Sequence, residues 1–153
     1  MEGDGRMTGE FAVAVHALVY LHKRGETLDS EALARNVCTN PARVRKVMAK
    51  LKQAGLVEAK AGAEGGYRFS LDPAGLTLQQ VADALQEKPV AALWRSGDPS
   101  MDCMVASGMA TAMDRVYEAL NQACFERLSS IALSDVEAQL QSPGPCARKD
   151  NIG

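Results

Sequence analysis

The sequence predicts a mostly α-helical chain carrying a small β-hairpin wing: a winged helix-turn-helix followed by a long C-terminal helix. Three observations carry that prediction. Two helix-like segments, residues 29–37 and 41–54, meet across the three-residue turn Cys38-Thr39-Asn40, and the second is rich in Lys and Arg. A glycine-bearing hairpin, residues 56–71, follows directly. Further on, Met109, Met113, Val116, Leu120, Cys124, Leu128 and Ile131 recur at steps of three and four, the spacing of one helix face kept for about six turns.

The chain has 153 residues, enough for one domain with a proper core plus an arm. Its make-up, 46% hydrophobic but only 5% aromatic, calls for the aliphatic, methionine-filled core that helices build. The formal net charge of -2 argues against loose association with nucleic acid, but its distribution argues otherwise. Between Pro41 and Arg68 seven Lys and Arg stand against two Glu, a local balance of +5 on a remainder of -7. An acidic body with one basic face can bind DNA while disfavouring contacts elsewhere. No apolar run approaches the roughly 18 residues of a membrane span and no signal peptide is visible, so a cytoplasmic chain without a membrane partner is expected. Four cysteines, Cys38, Cys103, Cys124 and Cys146, are too few and too scattered for a disulfide framework, and in a reducing compartment they are free thiols.

Residues 1–6 are polar and glycine-rich and are expected to be disordered. Residues 8–23 suit a buried first helix, with Phe11, Val15, Leu18, Val19 and Leu21 as its apolar positions. His16 and His22 lie on different faces of that helix and build no metal site. Asp29 is placed as an N-cap, because Leu28 and Leu33 then form a hydrophobic staple. Asn40-Pro41 starts the next helix, with a side chain to accept orphan amides followed by a residue that needs no N–H there. Gly55 suits the left-handed position that ends it, with Leu56 against Leu51 in a Schellman arrangement.

On a helical wheel Val44, Val47, Met48 and Leu51 face the core. Ala42, Arg45, Lys46, Ala49 and Gln53 fall opposite, with Arg43 and Lys50 on one flank and Lys52 on the other. A charged helix face is ordinarily no more than a solvated face; here a short turn before it and a wing after it turn the reading towards DNA. In a helix-turn-helix the start of the second helix meets base edges. Arg45 and Lys46 are therefore the base-reading candidates, and Ala42 and Ala49 can meet thymine methyls. Arg43, Lys50, Lys52 and Arg68 suit phosphates.

In the hairpin, Tyr67, Phe69 and Leu71 alternate with Arg68 and Ser70, so one face is expected to pack on the helices. Gly62, Gly65 and Gly66 permit a tight wing loop, whose tip carries Glu64 and no Arg. Residues 77–86 form another amphipathic helix through Leu78, Val81, Ala82 and Leu85, which completes a DNA-binding domain over 7–87. Residues 88–103 form a linker or sensor loop, where Trp94, with Leu93, Met101 and Met104, either anchors the loop or lines a small-molecule effector pocket. A stripe as long as the one in region 104–140 needs a partner, and the simplest is the same helix of a second copy. Met109, Met113, Val116, Leu120, Cys124 and Leu128 are its dimerisation residues. Cys38, in the turn, and Cys124, on the stripe, are expected to be packed. Residues 134–140 suit a last short helix, and 141–153 a disordered tail.

Residues 11–18, 51–57, 62–68, 76–85 and 130–136 carry a resemblance, most specifically the Gly-x-x-Gly-Gly-Tyr wing at Gly62, Gly65, Gly66 and Tyr67. Over most of 7–140 the chain resembles the Rrf2 family of winged-helix transcriptional regulators, relatives of the iron–sulfur cluster regulator and the nitric-oxide-sensing repressor. The resemblance implies a homodimer, paired through the long helix and bound to an inverted-repeat operator in double-stranded DNA. It also implies a sensor. The best-known members hold an iron–sulfur cluster on three closely spaced cysteines ahead of the dimer helix, whereas this chain has Cys103 alone there. Cys124 lies about 31 Å further along a helix at 1.5 Å per residue. No iron–sulfur cluster or other cofactor is expected, and the chain looks like the cluster-free branch in which one cysteine begins the dimer helix. At a helix N-terminus the dipole and free amides lower a thiol pKa, and Asp102 works against that. Cys103 is either a small residue at a helix start or a redox sensor.

These readings converge on a cytoplasmic, homodimeric, sequence-specific DNA-binding regulator, a repressor rather than an enzyme, responding to thiol oxidation or a small ligand. The alternative is a winged-helix protein–protein interaction module that never meets DNA; the local charge of +5 favours DNA. No nucleophile–base motif, paired carboxylates or metal-spaced ligands point to catalysis.

Overall fold

Two short helices and the turn between them are set by side chains that satisfy their own backbone. The computed structural model describes residues 9–140, so the expected disorder of 1–6 and 141–153, and Cys146, lie outside the described residues. Helix α1 (Gly9–Arg24) buries Val13, Ala14, Ala17, Leu18 and Leu21. Helix α2 (Ser30–Val37) starts at Asp29, whose carboxylate accepts the Ala32 N–H at 2.7 Å, and the staple residues Leu28 and Leu33 are both buried. Cys38 then reverses the chain at φ 63°, and the Thr39 N–H donates to the Ala34 carbonyl at 3.0 Å. The expectation that Cys38 packs is corrected: it is exposed, and its part is a left-handed backbone that costs a non-glycine residue about 1 kcal/mol.

Helix α3 (Pro41–Gln53) begins with the Asn40 side chain accepting the Arg43 N–H at 2.8 Å. It ends in a Schellman cap: Gly55 at φ 77° donates to the Lys52 carbonyl and Leu56 to that of Leu51, both at 2.9 Å. Val44, Val47, Met48 and Leu51 are fully buried and join Leu18, Leu21 and Leu33 in one core.

Strands β1 (Glu58–Lys60) and β2 (Gly66–Arg68) pair antiparallel, with Glu58 opposite Arg68, Ala59 opposite Tyr67 and Lys60 opposite Gly66. The hairpin is shorter than the alternation suggested. Phe69 is buried, but Leu71 is 42% exposed and does not share its face. Pairing stops at Arg68, and the chain turns at Asp72, whose carboxylate accepts the Ala74 N–H at 2.9 Å. Leu28 and Tyr67 exchange two backbone hydrogen bonds, at 3.0 and 2.8 Å, which ties the wing to the start of the helix-turn-helix. At Gly66 any Cβ would collide with the Leu28 carbonyl, so this crossing requires glycine.

Helix α4 (Leu78–Leu85) opens on a capping box between Thr77 and Gln80 and buries Leu78, Val81, Ala82 and Leu85. In the following loop Asn121 grips the Val90 backbone through both its N–H and C=O, each at 2.8 Å. Helix α5 (Met104–Ser129) has 26 residues, about 39 Å of helix, and none of them is buried. Met113, Cys124 and Leu128 are half-buried, while Met109, Val116 and Leu120 are exposed. Cys124 is thus less buried than expected, because within one chain its stripe is incompletely covered. Helix α6 (Leu133–Gln139) returns to the core: Leu133 is fully buried, its N–H donates to the Leu76 carbonyl at 2.8 Å, and Glu137 pairs with His22 at 2.6 Å. No described helix is long and apolar enough to cross a membrane.

Candidate nucleic-acid interface

With the apolar side of α3 in the core, Ala42, Arg43, Arg45, Lys46, Ala49 and Lys52 are left exposed and Lys50 half-buried. Neighbouring elements then divide the cations. Arg45 donates through Nη1 to the Ser30 hydroxyl at 3.2 Å, leaning towards the start of α2. Lys46 and Lys50 lean the other way, onto the first turn of α1, where their Nζ atoms lie 3.2 Å and 3.4 Å from the two carboxylate oxygens of Glu10. The Arg43 guanidinium covers Gly9 beside them, so closely that a Cβ there would meet it. Lys52 lies on the wing side. It borders a cleft of about 440 Å³ shared with Asp29, Ser30, Lys60 and the wing residues Gly62, Gly65, Gly66 and Tyr67. Arg68 is exposed on β2, opposite Glu58.

The wheel had set Arg43 and Lys50 on one flank and Lys52 on the other. The structure adds Lys46 to the first flank and brings in two residues the sequence reading missed, Glu10 and Ser30. An acidic residue in a first turn reads from sequence only as a partner for its own helix dipole, so nothing local signals that Glu10 faces α3. Partial burial works to raise the Glu10 pKa, but hydrogen bonds and charge from Lys46 and Lys50 outweigh it and hold the carboxyl below its ordinary value.

At the other end, Cys103 is the exposed N-cap residue of α5. The backbone amides of Ala106 and then Val105 lower its thiol pKa, the effect expected of a helix N-terminus. Both readings of Trp94, as a loop anchor or as a pocket wall with Leu93, Met101 and Met104, are corrected: all four are exposed, Trp94 by 77%. The cavity beside this loop is an open cleft of about 530 Å³ against α5, bordered by Lys88, Arg95, Tyr117, Glu118 and Phe125. Arg95 there donates to both Asp114 oxygens, at 2.7 and 2.6 Å. Among the described residues no three His, Cys, Asp or Glu gather where they could hold a metal ion. His16 bonds Asn36 at 2.8 Å instead.

A doubly capped basic helix after a three-residue turn, with a hairpin locked beside it, makes this a winged helix-turn-helix regulator in architecture. Comparison with known proteins agrees. A family model described as "Rrf2: Iron-dependent Transcriptional regulator" matches residues 7–139. YwnA of Bacillus subtilis (strain 168), named as an HTH-type transcriptional regulator, is 31% identical over 131 residues, covering 85% of this chain and 96% of its own. A crystal structure from Lactobacillus plantarum, described as a transcriptional regulator, superposes with a TM-score of 0.79 at 23% identity, covering 91% of this chain and 94% of that one. A second, described as a DNA-binding protein, gives 0.66 at 30% identity over 84% and 98% of the two chains. The chain belongs to the Rrf2 family of transcriptional regulators.

Proposed function

We propose that this regulator is a cytoplasmic repressor that binds an inverted-repeat operator in double-stranded DNA as a homodimer. The observation that carries the reading is α3: fixed at both ends by its own caps, it presents Ala42, Arg45, Lys46 and Ala49 to solvent beside the wing, within a segment of net charge +5. Arg45 and Lys46 read base edges, and Ala42 and Ala49 meet thymine methyls. Arg43, Lys50, Lys52 and Arg68 hold phosphates and set the register. The likeness to a structure described as a DNA-binding protein supports the same reading.

Pairing through α5 is supported by its 26 residues without one buried side chain and by the stripe from Met109 to Leu128. Two copies then place two recognition helices on two half-sites. The signal enters near the start of α5, by oxidation of the Cys103 thiol or by a small ligand in the cleft bordered by Lys88 and Tyr117. The described residues do not fit an iron–sulfur cluster, which needs several thiolates within one cluster's reach: Cys103 stands alone in the 88–103 loop, and Cys124 is about 31 Å along the helix.

Selection of bound duplexes from a random pool, with and without oxidant, yields the operator and tests the signal. On that operator Arg45→Ala is expected to cost about 1–3 kcal/mol while leaving binding to random duplex nearly unchanged. Lys52→Ala weakens both and reduces the salt slope by about one. Equal losses on both DNAs for Arg45→Ala would refute its base-reading role, and a protein that enriches no duplex would return the protein–protein interaction reading.

A further inference from the structure

The basic flank of α3 carries a carboxylate supplied by another helix. Glu10 spans Lys46 and Lys50, one helical turn apart, with one oxygen on each ammonium, and its side chain is only 18% exposed. The carboxylate is sheltered, whereas the Lys46 and Lys50 side chains, 50% and 37% exposed, stay open to solvent and to an approaching anion. Glu10 lowers the charge this pair of lysines offers an approaching anion from +2 to +1. Two kinds of acceptor then fare differently. The N7 and O6 atoms of guanine are neutral, and an ammonium with three donors can meet them while keeping Glu10. A phosphate at the same lysines brings a second anion against Glu10 and must either displace it or bear the repulsion.

We infer that Glu10 is a specificity-determining residue that suppresses the phosphate-driven, sequence-independent part of DNA binding through Lys46 and Lys50 more than the base-reading part. The inference rests on the proposal that α3 meets DNA. Non-specific affinity comes almost wholly from neutralised phosphates, so it is the part that Glu10 weakens.

The test compares Glu10→Gln, which keeps the shape and one acceptor oxygen but removes the charge, with the unaltered protein on the selected operator and on random duplex across a salt series. Random-duplex binding is expected to tighten about fivefold, with a salt slope steeper by about one phosphate equivalent. Operator binding tightens less, so the specificity ratio falls. In a Lys46→Gln/Lys50→Gln background the same substitution is expected to have a clearly smaller effect. Unchanged or weaker random-duplex binding, an equal gain on both DNAs, or a gain undiminished without the lysines each overturns the inference. Arg45→Ala, measured alongside, separates the two layers. If it loses operator affinity while Glu10→Gln does nothing, the Glu10 inference alone fails; if it affects neither DNA, the assignment of α3 to DNA fails.

Discussion

Single residues here are tuned by backbone groups and by partners far away in the chain. The backbone amides of Ala106 and Val105 at the start of α5 lower the Cys103 thiol pKa, favouring its thiolate. Because its pKa is lowered, the thiolate persists to lower pH than in an ordinary cysteine. The rate of Cys103 alkylation by iodoacetamide, followed by peptide mass spectrometry, should reach half its plateau at a lower pH than that of free cysteine in the same series. A profile that coincides with free cysteine would show that the amides do not activate it. Cys38 shows the opposite use of the same residue type. It is exposed, and what α2 needs from it is a left-handed backbone, not packing.

At the scale of elements, α3 is held in place by its ends as much as by its core face. The Asn40 carbonyl oxygen takes one orphan N–H, and Gly55 and Leu56 return two carbonyls to use. Asn40→Ala is therefore expected to lower unfolding free energy by about 1 kcal/mol in urea denaturation, with the m-value unchanged. A loss near zero would mean that burial of Val44 and Val47 alone sets the helix start. The wing follows another logic. Its three residue pairs are too few to stand alone, and it is the exchange of hydrogen bonds between Leu28 and Tyr67, passing over Gly66, that fixes its position beside α3.

For the whole molecule, the decisive surface is the one a single chain leaves uncovered. Exposed Met109, Val116 and Leu120 follow one another on a helix whose neighbours along the sequence, α4 and α6, are docked on the core. Leu120→Asp places a charge in the centre of that stripe, where Leu120 is 47% exposed in the single chain. If α5 pairs two copies as proposed, the unaltered protein should sediment as a dimer and the variant as a monomer at the same concentration. The variant should also lose about a hundredfold in operator affinity, since each half-site must then bind alone. A dimer that survives the substitution would move the interface away from α5.

Much of this was legible in the residues because it is local. Caps at Asp29 and Asn40, the glycine stop at Gly55 and the 3.6-residue periodicities act within a few positions, so helix existence, helix boundaries to within a few residues and the buried face of α3 follow from order alone. The departures share one cause, since each depends on what another segment presents across space. Leu71 continues the strand alternation but lies beyond the last paired residue. Trp94 and its apolar neighbours read in sequence as a loop anchor or a pocket, yet all of them are exposed. Glu10, whose position reads as an ordinary first-turn acid, is brought by the packing of α1 on α3 against Lys46 and Lys50. Short-range hydrogen bonding and periodic burial write the elements into the chain, whereas electrostatic partners are settled only by the docking of helices distant in sequence, because ion pairing depends on distance in space and leaves no period or spacing to read.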